Sequence, residues 1–316
     1  MNDERTLDLL GVKIKELRDL NKMNGIDLSA EISRLEKKLE VLREELYVNL
    51  SDWERVKLAR HPERPYSLDY IELIFADFYE LRGDRLSGDD PALITGLAKL
   101  KDRSVVVVAQ QKGRSTEERK ASLFGMTRPQ GYRKAKRAML LAQRFSFPLI
   151  TLIDTPGAYP GLESEEKNIG GAIADNLLLM TRLTVPSISA VIGEGGSGGA
   201  LAIGVTDRVV MLENAIYSVI SPEGAAAILW KDKDRSKEAA AALKLTAPQL
   251  LELGLIDEVV AEPLGGAQKD PQGIASSLKD CLLRNVSELS AIPVKKLLKS
   301  RYERYRSCGP YRKLDG

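Results

Sequence analysis

Two glycine-rich segments directly follow apolar, β-branched runs, and their residues are well suited to bind an anion. The first is Asp154–Gly161, after a strand predicted over 149–153. The second is 193–199, which follows a strand predicted over 187–192 and leads into an apolar helix. The first N–H groups of a helix lack partners, and glycine lets a ligand oxygen approach the backbone. This arrangement can hold a phosphate or a developing oxyanion.

Nucleotide-binding motifs are the first candidates for the second segment. A P-loop needs Lys and then Ser or Thr after its last glycine, but Ala200 and Leu201 occupy those places, which argues against it. The Rossmann pattern G-x-G-x-x-G matches literally at residues 193–198, with Glu213 as an acidic ribose partner. The match comes late in the chain rather than in an opening βαβ unit, so it is a weak alternative.

Ser197 also fits the G-x-S-x-G pattern of a hydrolase nucleophile. A serine nucleophile needs a general base, and the only histidine of the chain is His61, far upstream in Ala59–Pro62. A structural role for His61 is the favoured interpretation, although a spatial pairing stays open.

A cationic cluster follows a further strand, predicted over 105–109. Lys112 and Arg114 could hold an anionic group such as CoA phosphates or a carboxylate, or could contact an acidic partner chain. The next helix carries more basic residues, for which a solvated face is favoured: Arg128, Arg133, Lys134, Lys136 and Arg137.

These segments need a scaffold of alternating strands and helices. Further strands are predicted at 208–212 and 216–219. Helices are predicted at 131–146, 170–183, 198–205, 222–230 and 236–244. Apolar strands alternating with helices indicate an α/β fold with a largely parallel sheet, covered on both faces.

Three parts are distinguished along the chain. Residues 1–50 are predicted to form a helical hairpin that packs on the main domain or on another subunit, and its two helices break at Asn24-Gly25. Its apolar seam comprises Leu7, Leu10, Ile14, Leu17, Ile32, Leu35, Leu39, Leu42 and Leu46. The main domain is expected over 51–265. A basic helical tail with a solvated face is expected over 266–316.

The amino-acid composition limits the classes of function that the chain can have. The 316 residues are 43% hydrophobic and 29% charged, with a net charge of +2, which does not call for a nucleic-acid partner. Cys281 and Cys308 form no C-x-x-C pair and no His cluster accompanies them, so no metal site is expected. The N-terminus lacks signal-peptide features, and no apolar run approaches the roughly 18 residues of a membrane span. We therefore expect a cytoplasmic location and no membrane contact.

Several longer motifs, taken together, resemble the alpha subunits of bacterial acetyl-CoA carboxylase carboxyltransferases over nearly the full chain. They comprise Leu58–Tyr66, Gln111–Arg114, Phe124–Met126, Pro129–Ala135, Ile153–Gly161, Val191–Gly204, Tyr217–Gly224 and Pro263–Ala267. The resemblance implies a crotonase-like (ClpP/crotonase) fold, a spiral of ββα units, here with an N-terminal helical hairpin. The segment 246–260 reads as a short helix, a turn and a strand, which is similar to that fold.

The resemblance also implies an activity: transfer of a carboxyl group from carboxybiotin, on a separate carrier protein, to acetyl-CoA. The product, malonyl-CoA, starts fatty-acid synthesis. In this chemistry the biotin nitrogen takes the methyl proton, so the protein supplies positioning and N–H donors for enolate oxygens. By resemblance, the backbone N–H groups of Gly198 and Gly199 stabilise the biotin enolate. The implied biotin pocket comprises Gly157, Ala158, Tyr159, Gly195 and Gly196.

The remaining components are implied to lie on other chains. A beta subunit in an α2β2 assembly would supply the thioester oxyanion hole, much of the CoA site and a zinc ribbon. ATP would be used only by a separate biotin carboxylase. Two departures from the family pattern are Gln110, where His is expected, and Asn168-Ile169-Gly170-Gly171. The alternative function is a self-sufficient crotonase-fold hydratase or hydrolase acting on an acyl-CoA.

Overall fold

The computed structural model describes residues 2–24, 27–48 and 50–309. The chain forms two compact units. One comprises Met1–Ser51 with Pro263–Gly265, and the other comprises Asp52–Glu262 with Gly266–Gly316.

The first unit contains helices α1 (Asn2–Asn24) and α2 (Ser29–Val48). Their apolar seam packs one helix against the other. Leu7, Ile14, Ile32 and Leu39 are buried in it, and Leu10, Leu17, Leu35 and Leu42 lie partly buried beside them. The predicted hairpin is therefore present. Gly25 and the side chain of Leu46, which the prediction also used, lie outside the described residues.

The second unit is built on one mixed sheet of eight strands. These are β1 (Ala76–Glu80), β2 (Leu93–Leu100), β3 (Arg103–Gln110), β4 (Leu149–Thr155), β5 (Ser187–Gly196), β6 (Arg208–Leu212), β7 (Ile216–Ser218) and β8 (Glu258–Val260). The order is β1-β2-β3-β4-β5-β6-β8, and β7 pairs with β5. Strands β1, β2 and β3 are antiparallel neighbours, whereas the pairs from β3 onward are parallel.

Twelve helices of this unit are described around the sheet. They are α3 (Asp52–Ala59), α4 (Ser67–Ile74), α5 (Thr116–Ala121), α6 (Pro129–Phe145), α7 (Leu162–Glu166), α8 (Ile169–Arg182), α9 (Ser197–Leu201), α10 (Pro222–Trp230), α11 (Ser236–Leu243), α12 (Ala247–Glu252), α13 (Pro271–Ser290) and α14 (Val294–Arg306). Strand β4 is buried throughout, β3 is buried from Val105 onward and β5 is buried as far as Gly195, as their runs of apolar residues require.

The second glycine-rich segment differs from its prediction as a loop. Residues 193–196 continue β5, which pairs with β6 up to Val191 and with β7 from Glu194. The strand therefore changes partner at the start of the segment and delivers it still hydrogen-bonded to the sheet. The helix predicted over 198–205 ends at Leu201.

The C-terminal helices are not the separate solvated tail that the sequence suggested. In α13, Leu278 and Leu282 are fully buried in the main core. In α14, Arg301 is 2% exposed and forms an ion pair with Asp207 at 2.7 Å. Buried apolar and paired charged groups join α13 and α14 to the sheet. Gly266–Gly316 belongs to the same compact unit as Asp52–Glu262, so the expected main domain and C-terminal tail are not two separate units. Residues 310–316 of the tail lie outside the described residues.

None of the helices in the described ranges combines the length and apolar character needed to cross a bilayer.

Candidate active site

The two glycine-rich segments lie in direct contact at the carboxyl ends of β4 and β5. A Cβ on Gly196 would lie 2.2 Å from the carbonyl oxygen of Pro156. A Cβ on Gly199 would lie 2.5 Å from the nitrogen of Ala158 and 2.5 Å from the carbonyl carbon of Gly157. The backbones approach this closely only because both positions lack a side chain. The structure thus brings together residues that the sequence assigned to one pocket.

The start of α9 carries the candidate N–H donors. Within the described ranges, no acceptor lies in hydrogen-bonding reach of the N–H of Gly198 or Gly199. Two hydrogen bonds fix the carbonyl of Gly199: it accepts from Gln110 Nε2 at 2.8 Å and from Tyr132 Oη at 3.4 Å. The free N–H groups at the first turn of α9 are the type of donor that stabilises an oxyanion.

The first segment is tethered through its own backbone. The N–H of Gly157 donates to Thr155 Oγ1 at 3.1 Å, and that hydroxyl donates to the carbonyl of Gly125 at 2.7 Å. The N–H of Tyr159 donates to the carbonyl of Thr127 at 3.0 Å. The ring of Tyr159 lies 5.7 Å from the guanidinium carbon of Arg128. These bonds fix the loop that faces α9.

A buried charge cluster joins the starts of the two segments and was not predicted from the sequence. Lys112 Nζ lies 2.8 Å from Asp154 Oδ1 and 2.7 Å from Glu194 Oε2. Burial by itself would lower the pKa of Lys112, but the two carboxylates outweigh it and raise the pKa. Burial would raise the pKa of Glu194, yet the charges of Lys112 and Arg60 hold it below its usual value.

This cluster ties together three neighbouring strands. Lys112 follows β3, Asp154 lies in β4 and Glu194 lies in β5. Asp154 Oδ1 also accepts the N–H of Glu194 at 2.9 Å, and it lies 2.5 Å from where a Cβ on Gly193 would be. The Asp154 carboxylate therefore lies beside the point where β5 changes partner. The only sequence signal for this cluster is that each of the three residues lies at or after the end of a predicted strand, because the carboxyl ends of parallel strands meet at one edge of a sheet.

The anion-binding role expected for Lys112 and Arg114 relied on free positive charge. The charge of Lys112 is offset by two carboxylates. Arg114 forms an ion pair with Asp69 at 2.5 Å and lies over the ring of Tyr66, 5.1 Å from its centroid.

Three further expectations can be compared with the geometry. Ser197 is exposed, with a positive φ of 56°, and forms no hydrogen bond with His61 among the described residues. Asn168 caps α8, accepting the N–H of Gly171 at 3.0 Å. Lys134 is fully buried rather than solvated, with its Nζ 2.8 Å from the carbonyl oxygen of Asp90.

The described residues contain no group of three or more His, Cys, Asp or Glu side chains placed to hold a metal ion. The arrangement instead offers backbone N–H donors backed by a neutralised charge cluster. Such a site can stabilise negative charge on a bound oxygen atom.

The chain is similar to known carboxyltransferases. Residues 1–309 match the family described as acetyl co-enzyme A carboxylase carboxyltransferase-like. The acetyl-coenzyme A carboxylase carboxyl transferase subunit alpha of Methylococcus capsulatus is 53% identical over 308 residues, which is 98% of this chain and 96% of that protein.

Solved structures agree at the level of fold. Transcarboxylase 12S aligns with a TM-score of 0.56 and 24% identity over 70% of this chain, and over 43% of its own chain. A Pseudomonas malonate decarboxylase hetero-tetramer aligns with a TM-score of 0.58 and 19% identity, covering 70% of this chain and 89% of that chain. The predicted crotonase-like fold is confirmed. With a family match that spans nearly every residue, the chain belongs to the acetyl-CoA carboxylase carboxyltransferase family.

Proposed function

We propose that this chain is the alpha subunit of an acetyl-CoA carboxylase carboxyltransferase. It takes part in transferring the carboxyl group of carboxybiotin to acetyl-CoA to give malonyl-CoA. Full-length identity of about one half to proteins of that name supports the assignment. Cytoplasmic fatty-acid synthesis is the setting that this assignment implies.

The observation that carries the proposed role is the pair of free N–H groups on Gly198 and Gly199, opposite the loop Gly157–Tyr159. Carboxybiotin supplies the carboxyl group and a ring nitrogen that accepts the methyl proton. The N–H groups of Gly198 and Gly199 bind the ureido oxygen and stabilise the negative charge that develops there. Gly157, Ala158, Tyr159, Gly195 and Gly196 shape the pocket. A Cβ on Gly195 or Gly196 would lie 2.6 Å from Tyr217 Cδ2 or 2.2 Å from the Pro156 carbonyl oxygen, so neither position accepts a side chain without displacing its neighbour.

The backbone site also explains why the chain needs partners. The two N–H donors serve one oxygen, whereas acetyl-CoA activation needs a second set for its thioester oxygen. We assign that set, most of the CoA site and a zinc ribbon to a beta subunit in an α2β2 assembly. The biotin is presented by a separate carrier protein, and ATP is used only by the biotin carboxylase component.

The test is reconstitution. We expect no malonyl-CoA from the purified chain with acetyl-CoA and carboxybiotin alone, and robust product once a beta subunit from a relative is added. Product formation by this chain alone would contradict the half-site assignment. Absence of product despite formation of the two-subunit complex would contradict the function.

One observation favours the hydrolase alternative. Ser197 is exposed at a strand-to-helix junction with a positive φ, as the nucleophile of a G-x-S-x-G hydrolase is. The described structure offers it no hydrogen bond to the single histidine, so the carboxyltransferase assignment is preferred.

A further inference from the structure

A cavity of about 270 Å³ adjoins the charge cluster, with Lys112 and Glu194 among the residues that line it. The end of α3 and the segment that follows β3 form its walls, together with Pro156 and Glu194. Arg60, His61 and Arg119 are its polar donors besides Lys112, and Tyr66 and Phe124 supply aromatic surface. Nothing in the proposed backbone chemistry uses this cavity.

The positive charges around the cavity differ in how they are paired. Lys112 is neutralised by Asp154 and Glu194, as described above. Arg60 Nε lies 2.6 Å from Glu194 Oε1, and its Nη1 lies 2.6 Å from Glu223 Oε1. Carboxylates therefore hold Lys112 and Arg60 in place and offset their positive charges. The two side chains contribute fixed N–H donors to the cavity lining.

Arg119 is different. Its Nε donates to the carbonyl of Gly113 at 3.1 Å, which orients the guanidinium. Across the described part of the chain, its two terminal nitrogens have no acceptor and it forms no ion pair. The side chain is only partly exposed. An oriented guanidinium with free terminal N–H groups is suited to bidentate binding of a carboxylate or a phosphate.

His61 adds a donor of defined tautomer. Its Nδ1 accepts the N–H of Glu63 at 3.2 Å. An acceptor Nδ1 places the proton of the neutral ring on Nε2, so this cavity-lining imidazole has one N–H to offer a ligand. The donors of Arg119 and His61 come from two different segments of the cavity lining, one on α5 and one after α3.

The turn that contributes Phe124 to the cavity lining has a strained backbone. Leu123 and Phe124 both have positive φ, 47° and 57°, and Phe124 is 54% exposed. Bulky residues in this region cost roughly 1–2 kcal/mol each. The turn is anchored because Gly125, the next residue, accepts from Thr155 Oγ1. Backbone strain of this kind is common in segments that contact a ligand.

We infer that this cavity binds an oxyanion group, a carboxylate or a phosphate, through Arg119 and His61. The remainder of the ligand packs on Phe124 and Tyr66. The volume suits a small anionic head with a short apolar extension rather than a whole cofactor. Its donors are side chains other than the free N–H groups of α9, and the inference does not depend on the proposed function.

Thermal unfolding of the full chain at constant ionic strength, with inorganic phosphate and acetate as separate probes, tests the inference. We expect millimolar concentrations of at least one probe to raise the Tm of the wild type by about 2 °C. Arg119→Met should require an at least fivefold higher probe concentration for the same shift. Arg114→Met is the matched control, because that arginine is already paired with Asp69. It should respond as the wild type does.

Arg119→Lys keeps the charge without the planar fork and should give an intermediate response. It also serves as the second variant if Arg119→Met does not fold. Phosphate dependence alone would indicate a phosphate ester as the natural group, and acetate dependence alone a carboxylate. Identical responses of wild type, Arg119→Met and Arg119→Lys, or no response to either probe, would overturn the inference.

Discussion

Gly196 and Pro156 lie so close that a single added carbon on Gly196 would meet the Pro156 carbonyl oxygen at 2.2 Å. The contact joins the end of β5 to the loop after β4, and it is backbone against backbone. No side chain rotation can relieve it. The free N–H groups of α9 therefore owe their position to the absence of side chains at this contact.

Alanine substitutions at the contact test this directly. Gly196→Ala and Gly199→Ala must push the two segments apart, so we expect at least a hundredfold loss of carboxyltransferase activity in the reconstituted complex. Gly170→Ala is the control, because a Cβ there meets nothing within 4 Å and alanine favours a helix. Activity near wild type in Gly199→Ala would contradict the proposed site.

Lys112 is predicted to be a structural cation. Lys112→Met leaves the buried carboxylates of Asp154 and Glu194 without it, which is expected to cost about 3–5 kcal/mol in the free energy of unfolding. Denaturant unfolding measures this change. Arg114→Met removes an ion pair that is half-exposed and should cost less than about 1 kcal/mol. Equal effects of the two changes would contradict the distinction between them.

The buried pair Arg64–Glu262 should give the chain an acid-sensitive component of stability. Burial would raise the pKa of Glu262, but the Arg64 guanidinium, bonded to both carboxylate oxygens, lowers it below the usual 4.5. A lowered folded pKa contributes stability that is present above the unfolded pKa and lost as pH falls through the folded one.

Glu262→Gln therefore removes one such component. The variant should be less stable at neutral pH by about 3–5 kcal/mol, since Arg64 loses its buried partner. It should lose less further stability than the wild type between about pH 6 and pH 3. Urea unfolding at several pH values measures both. Parallel stability curves for wild type and variant would contradict the prediction.

Ser197→Ala separates the two enzyme classes. If backbone N–H groups carry the chemistry, removal of the hydroxyl should change carboxyltransferase activity by less than about threefold, since alanine and serine both carry the Cβ that makes the positive φ of 56° unfavourable. A hydrolase nucleophile would lose about 10³-fold or more. The readouts are malonyl-CoA formation and acyl-CoA hydrolysis by the same preparation.

Gln110 is predicted to hold the Gly199 carbonyl in place. Gln110→Met preserves volume but removes the 2.8 Å hydrogen bond, which should cost about 1–3 kcal/mol because the site is fully buried. Lower kcat with an unchanged KM for acetyl-CoA is the expected kinetic result. A higher KM with unchanged kcat would place Gln110 in substrate binding instead.

The family and the main elements could be read from local sequence. Strands β3 to β6 are runs of apolar and β-branched residues, and their burial on both faces makes the pattern unambiguous. The sequence also predicts the apolar seam of the helical hairpin, because a helix repeats its buried positions every three to four residues. Strands β1 and β2 were missed, since β1 is largely exposed and β2 is interrupted by Gly96 and Lys99.

The amino-acid sequence by itself determined which backbones could come close, through glycines at 196 and 199, and which strands would be buried. Only the tertiary structure decided which backbone groups lie against those glycines and which positively charged side chains have no carboxylate partner among the described residues. Lys112, Asp154 and Glu194 are distant along the chain and meet only because parallel strands end at one edge. Ion pairing depends on distances, so residue type could not show that Lys112 is neutralised whereas Arg119 has no ion pair among the residues that the structure describes.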